Sequence, residues 1–192
     1  MSVSMDDDGP MAADGRSGRF DKAPALAGMD VRVSRGRDEA ATVAEVESLY
    51  FAATSGRPLY ETKETAAHYA QLYGALLARP DLVAVQARDD GQLAGFAYGH
   101  PWSWAEQADS WADELRERLG EAAASLEGRI AVYPLAVHPG YRRAGLGRLL
   151  LQTLLDAAGT PHAWLITRDE PTPAMAIHQR EVEANRSRSR DT

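Results

Sequence analysis

The stretch that most restricts what this chain can become is Leu135-Ala136-Val137-His138-Pro139-Gly140-Tyr141-Arg142-Arg143-Ala144-Gly145-Leu146-Gly147-Arg148. Upstream, Ile130 to Val137 is almost continuously apolar, as expected of a strand buried on both faces. Downstream, Leu149, Leu150, Leu151, Leu154 and Leu155 mark a helix over Arg148–Ala158, with Gly159 just past its end. Between strand and helix lies a turn that holds Arg142, Arg143, Gly145 and Gly147, and the helix's first turn adds Arg148. A helix N-terminus presents unsatisfied N–H groups backed by about half a positive charge. Gly145 and Gly147 let an anion approach that backbone closely, and Arg142, Arg143 and Arg148 add cationic reach. A diphosphate is the natural guest. Dinucleotide and ATP signatures fit worse. Position 150 is Leu, so no G-x-G-x-x-G is complete, and there is no G-x-x-x-x-G-K-[ST].

The rest of the chain supplies a mixed α/β order. Val31 to Val33 alternates like a short strand. Asp38 reads as a helix N-cap ahead of Val43, Val46, Leu49, Tyr50 and Ala53, whose spacing makes one apolar face. A second helix is expected over Lys63–Leu77, stopped by Pro80. Leu82–Ala87 and Gln92–His100 read as a hairpin closed at Asp89-Asp90-Gly91, since Asp-Gly suits positive φ. A long helix is expected over Trp104–Leu126, with Trp111, Leu115, Leu119, Ala122 and Leu126 as its stripe and its tryptophans as core anchors. Pro134 cannot donate to a sheet ladder, so it predicts a bulge or a splayed strand pair. His162–Thr167 reads as a further buried strand, and Pro171 opens a last helix reaching about Val182.

Size and charge narrow the function. The 192 residues suit one domain over 29–182, between a disordered segment at 1–28 and a basic disordered tail at 183–192. No cysteine is present, which excludes disulfides, thiolate metal sites and a cysteine nucleophile. The net charge of −7 argues against nonspecific nucleic-acid binding. No apolar run reaches the roughly 18–20 residues of a membrane span. The N-terminus is acidic where a secretion signal would be basic, so the expectation is a cytoplasmic protein without membrane or nucleic-acid partners and without a metal.

Val137 to Leu150 resembles the acetyl-CoA motif of the GNAT superfamily of N-acetyltransferases, written Q/R-x-x-G-x-G/A and filled here by Arg142, Gly145 and Gly147. The element order over about residues 30–180 is also similar. The resemblance implies a mostly antiparallel central sheet flanked by helices, with acetyl-CoA as cosubstrate. Arg142, Arg143, Ala144, Gly145, Leu146, Gly147 and Arg148 would cradle the pyrophosphate. Leu135, Ala136 and Val137 would pair with the pantetheine arm at a split between the fourth and fifth strands, where Pro134 is comfortable. Transfer would be direct, from thioester to the amine of a small molecule or peptide.

The family pattern is incomplete in this chain. A carboxylate is usual on the fourth strand, but Ile130 to Val137 holds none. Glu127, His100, or Tyr133 through a water could stand in as base, and Glu61 lies in the loop where the family builds its acceptor site. The usual acid is a tyrosine in a pattern like N-x-x-A-x-x-L-Y. Here Ala174 and Ile177 match, Pro171 replaces the Asn, and His178 takes the tyrosine's place. Beyond that helix the family continues into two strands, which Glu181 to Arg190 does not resemble. The expectation is therefore missing C-terminal strands and an open edge, covered by another chain such as a second copy, or else a weak or inactive relative that binds CoA. The segments 55–65 and 99–128, with Trp102, Trp104 and Trp111, should shape the acceptor side.

Overall fold

The computed structural model of the protein describes residues 26, 28–160 and 162–165. Its centre is an open, mostly antiparallel sheet in the order β1-β2-β3-β4-β6, with β5 also on β3. The strands are β1 (Asp30–Ser34), β2 (Val83–Asp89), β3 (Gln92–Pro101), β4 (Ile130–Val132), β5 (Ala136–Val137) and β6 (Ala163–Trp164). Only β4 and β6 run parallel. The helices are α1 (Val43–Thr54), α2 (Lys63–Leu76), α3 (Ser110–Leu119) and α4 (Leu146–Ala158).

Period-two alternation sends β2 and β3 residues to two cores. On one face Ala84, Phe96 and Tyr98 meet Val46, Leu49, Tyr50 and Tyr73 of α1 and α2. On the other, Val83, Val85 and Ala97 meet Leu146, Leu150, Leu151 and Leu154 of α4. Gly95 lets α4 sit this close. A Cβ there would lie 2.8 Å from Leu150 Cδ1 and 3.2 Å from the Ala136 carbonyl oxygen.

The hairpin turns as expected, with Asp90 and Gly91 both at positive φ. Three expectations need correcting. Helix α1 is capped by Thr42, not Asp38, because Thr42 and Glu45 bond reciprocally across the first turn while Asp38 lies in the preceding turn. The segment Trp104–Leu126 is broken into a 3-10 turn, α3 and a second 3-10 segment, because Asp109 starts a helix of its own and Gly120 takes φ +54°. Trp111 is consequently 48% exposed rather than a core anchor. Helix α4 begins two residues early, so Gly147 lies inside its first turn. The last helix from Pro171, the C-terminal tail and nearly all of the N-terminal segment lie outside the described residues, as do Ile166 and Thr167.

Candidate functional site

Pro134 marks a bulge. Gly99 pairs with Val132 and Phe96 pairs with Ala136, so Ala97 and Tyr98 of β3 face three residues, Tyr133, Pro134 and Leu135. One extra residue breaks the apolar run into β4 and β5. The Tyr133 N–H still donates to the Tyr98 carbonyl at 3.0 Å, and the ladder resumes past the bulge where the His138 N–H reaches the Ala94 carbonyl at 2.9 Å. On its other side β4 pairs with β6 only at Ile130 and Ala131. Among the described residues no strand covers Leu135 to Val137 on the edge away from β3.

The chain next makes a 3-10 turn, Pro139–Tyr141, whose Gly140 N–H donates to His138 Nδ1. Tyr141 is buried, and its hydroxyl donates to Asp89 Oδ2 at 2.6 Å, bracing the loop against the β2–β3 turn. Arg143 and Gly145 both adopt left-handed backbone, at φ +63° and +87°. Such a conformation costs a non-glycine residue about 1–2 kcal/mol, a strain typical of functional loops.

Gly145 is the N-cap of α4 and offers no side-chain acceptor. The first donor within the helix is Leu149, whose N–H meets the Gly145 carbonyl at 3.1 Å. The Leu146 and Gly147 N–H groups therefore open the helix with no side-chain cap among the described residues. Burial and the nearby Arg142 both hold the His138 imidazole below the ordinary histidine range. Positive charge thus accumulates on the loop without help from His138. Such an end fits a phosphate group.

The three arginines are not equivalent. The Arg142 guanidinium donates to the Ala53 carbonyl in the last turn of α1, where a cation also complements the helix dipole. Part of its role is to lock the loop onto α1, which spacing alone could not reveal. Arg143 and Arg148 are exposed beside the helix start.

The candidate catalytic residues fall in different places. His100 is only 2% exposed and not at a wet strand end. Its Nδ1 lies 2.8 Å from the Pro101 carbonyl and its Nε2 3.0 Å from the Tyr133 hydroxyl. Burial lowers its pKa. Glu127 is exposed, and its carboxylate accepts the Trp104 N–H at 2.9 Å, pinning the 3-10 turn. His178 lies outside the described residues. Trp102 is the centre of an aromatic cluster with Trp104, Trp111 and Trp164 at ring distances of 5.2, 6.2 and 4.8 Å. Among the described residues no group of His, Asp and Glu could hold a metal ion, and no helix is long and apolar enough to cross a membrane.

A model of the acetyltransferase (GNAT) family matches residues 41–182, and the chain belongs to that family. Membership supports acyltransferase chemistry that draws on an acyl-CoA. No curated protein matches the chain. Among solved structures it is similar to PH1933 from Pyrococcus horikoshii OT3, with 16% identity, a TM-score of 0.54, and 79% of this chain and 87% of that one covered. It is also similar to an aminoglycoside acetyltransferase, HMB0005, from an uncultured soil metagenomic sample, with 20% identity, a TM-score of 0.50, and 79% and 89% covered. A third is an aminoglycoside acetyltransferase, meta-AAC0020, from such a sample in complex with sisomicin, with 12% identity, a TM-score of 0.52, and 81% and 88% covered. At these identities the likeness is one of fold.

Proposed function

We propose that this protein is an N-acetyltransferase that moves the acetyl group of acetyl-CoA directly to a primary amine. The observation that carries the reading is the start of α4: a left-handed glycine cap without a side-chain acceptor, one short loop beyond a strand interrupted by a one-residue bulge. In this reading the Leu146 and Gly147 N–H groups, with Arg143 and Arg148, hold the pyrophosphate, and Arg142 keeps the loop in register with α1. The Leu135–Val137 edge takes the pantetheine arm as an added strand. Acetyl-CoA supplies the activated acyl group, and no residue of the chain needs to carry it covalently. A small-molecule amine suits the fold likeness to aminoglycoside acetyltransferases, while a peptide amine uses the same chemistry.

The test is a turnover assay over a panel holding an aminoglycoside, a polyamine and a peptide N-terminus, run beside calorimetric titration with acetyl-CoA. The expected result is CoA release only when a suitable amine is present. Acetyl-CoA at about 100 times its Kd should add about 2.7 kcal/mol of stability. Tight binding with no CoA release for any amine would mark a CoA-binding module with a regulatory or partner role. No binding at all would remove both readings.

A further inference from the structure

We propose that Tyr133 and His100 form a proton relay for the acceptor amine, with Tyr133 touching the substrate and His100 positioned behind it to take the proton. The proposal rests on the N-acetyltransferase reading above and assigns the base that the strand's missing carboxylate leaves open. Its geometry comes from three features. Tyr133 is the residue immediately before the bulge. An arm anchored at Gly145–Arg148 and laid along Val137 to Leu135 points its reactive end towards that residue. Tyr133 is also half-buried, whereas His100 is sealed at 2% exposure, so the phenol stands between the imidazole and the site.

The hydrogen bonds fix the direction of transfer. A carbonyl only accepts, so His100 Nδ1 must carry the hydrogen it shares with the Pro101 carbonyl. In the neutral ring Nε2 is then an acceptor, and the Tyr133 hydroxyl donates to it at 3.0 Å. The phenol's lone pairs remain for an incoming ammonium. Its ring is held by stacking on Tyr98 at 5.6 Å and 6° and on His100 at 5.2 Å and 26°. This arrangement fixes the hydroxyl's aim at little entropic cost.

The charges around the pair suit a proton that arrives transiently. Arg79 disfavours a charged His100, while Asp81 and Glu106, both paired with Arg79, favour it. Burial pushes the Tyr133 hydroxyl's pKa up, Arg79 opposes this, and Asp109 and Glu106 add to it, while Tyr98 is a neutral neighbour whose own ionisation burial opposes. Burial outweighs the rest, so the imidazole rests neutral and ready to accept.

The step balances. The ammonium gives one proton to the Tyr133 oxygen as the phenol's own proton passes to His100 Nε2. The freed nitrogen lone pair forms a C–N bond at the thioester carbonyl carbon, and the C–S bond breaks. The nitrogen's second proton goes to the leaving sulfur, and His100 returns its proton to solvent through Tyr133.

The experiment compares the wild type with Tyr133→Phe and His100→Gln, using acetyl-CoA and whichever panel amine turns over. Tyr133→Phe keeps the stacked ring and should lower kcat by about 100-fold with acetyl-CoA affinity unchanged. In the wild type, kcat/KM for the amine should fall on the acid side as His100 protonates, below the ordinary histidine pKa. In His100→Gln that limb should vanish, and the rate should simply track the free-amine fraction. Nitrogen NMR supplies a readout independent of turnover: His100 should be the Nδ1–H tautomer, and its titration should move in Tyr133→Phe. A wild-type rate and pH profile in Tyr133→Phe, or an Nε2–H tautomer, would overturn the relay even if the enzyme acetylates amines. If His100→Gln does not fold, the phenylalanine variant and the tautomer still decide. Binding without turnover in the wild type would instead count against the N-acetyltransferase reading, while the tautomer still judges the pair.

Discussion

Helices α1, α2 and α3 each begin on a side chain that accepts a hydrogen bond from the helix's own first turn: Thr42 from Glu45, Thr62 from Thr65, Asp109 from Ala112. Helix α4 begins on Gly145, which has no side chain to accept such a bond. All four starts face the same physical problem, because the first N–H groups of any helix lack intrahelical partners. Three are closed by their own N-cap side chain and the fourth has no side-chain cap. On the proposed reading, this difference separates helices that only hold the fold from the helix that would hold the cosubstrate.

The sharpest way to break this comparison is to give α4 the kind of cap that α3 has. Gly145→Asp would supply an acceptor, bring a negative charge to the phosphate site and force a side chain onto φ +87°. Acetyl-CoA affinity should fall at least about 100-fold, or roughly 2.7 kcal/mol, by calorimetry. Gly147→Asp should behave alike. Normal binding by either would mean that the cradle lies elsewhere. The reverse change, Asp109→Ala, should cost about 1 kcal/mol of stability and leave acetyl-CoA affinity untouched.

Next in size is the seat of α4. Gly95→Ala should destabilise the protein by about 1–3 kcal/mol in urea unfolding, because Leu150 and the Ala136 carbonyl already crowd that position. A shifted α4 would also disturb the proposed cradle, so acetyl-CoA affinity should fall as well. Thr42→Ala should cost about 1 kcal/mol and spare binding, since its helix closes its own first turn. If Thr42→Ala weakened acetyl-CoA as much as Gly95→Ala, the division between scaffold and ligand helices would fail.

The same contrast explains what the sequence could reveal. The strand, turn and helix around Gly145 are legible because their signal is local: glycines, arginines, a buried strand before and leucines after. The bulge was legible because Pro134 cannot sit in a regular ladder. The capping of α1 was misread at Asp38 because the stronger pair, Thr42 with Glu45, lies four residues on and closes reciprocally. The break at Gly120 was missed because a helical stripe can be traced through a glycine that tertiary structure turns to positive φ. The His100–Tyr133 pair spans 33 residues and meets only when β3 and β4 align, so no spacing rule announces it. Arg142 is similar: its partner, the Ala53 carbonyl, carries no side-chain signal.

The smallest effect tests the scaffold side through pH. Glu45 is held down to about 2 from an ordinary value of 4.5, first by its hydrogen bond with Arg88 and then, against burial, by the Thr42 groups. A carboxyl whose folded pKa is lowered stabilises the fold above its unfolded pKa, and this stability is lost as pH falls through the folded value. The loss should therefore begin near pH 4.5 and run towards about pH 2. The side chain is 35% exposed, so solvent and salt screen much of the effect. Urea unfolding at neutral and acid pH should show the wild type losing more stability on acidification than Glu45→Gln, with the gap narrowing at high salt. Calorimetry on the same variant should find acetyl-CoA affinity at neutral pH unchanged, because Glu45 belongs to a helix that caps itself. An equal acid response in the two proteins would show that the Thr42–Glu45–Arg88 cluster is held by packing rather than by charge.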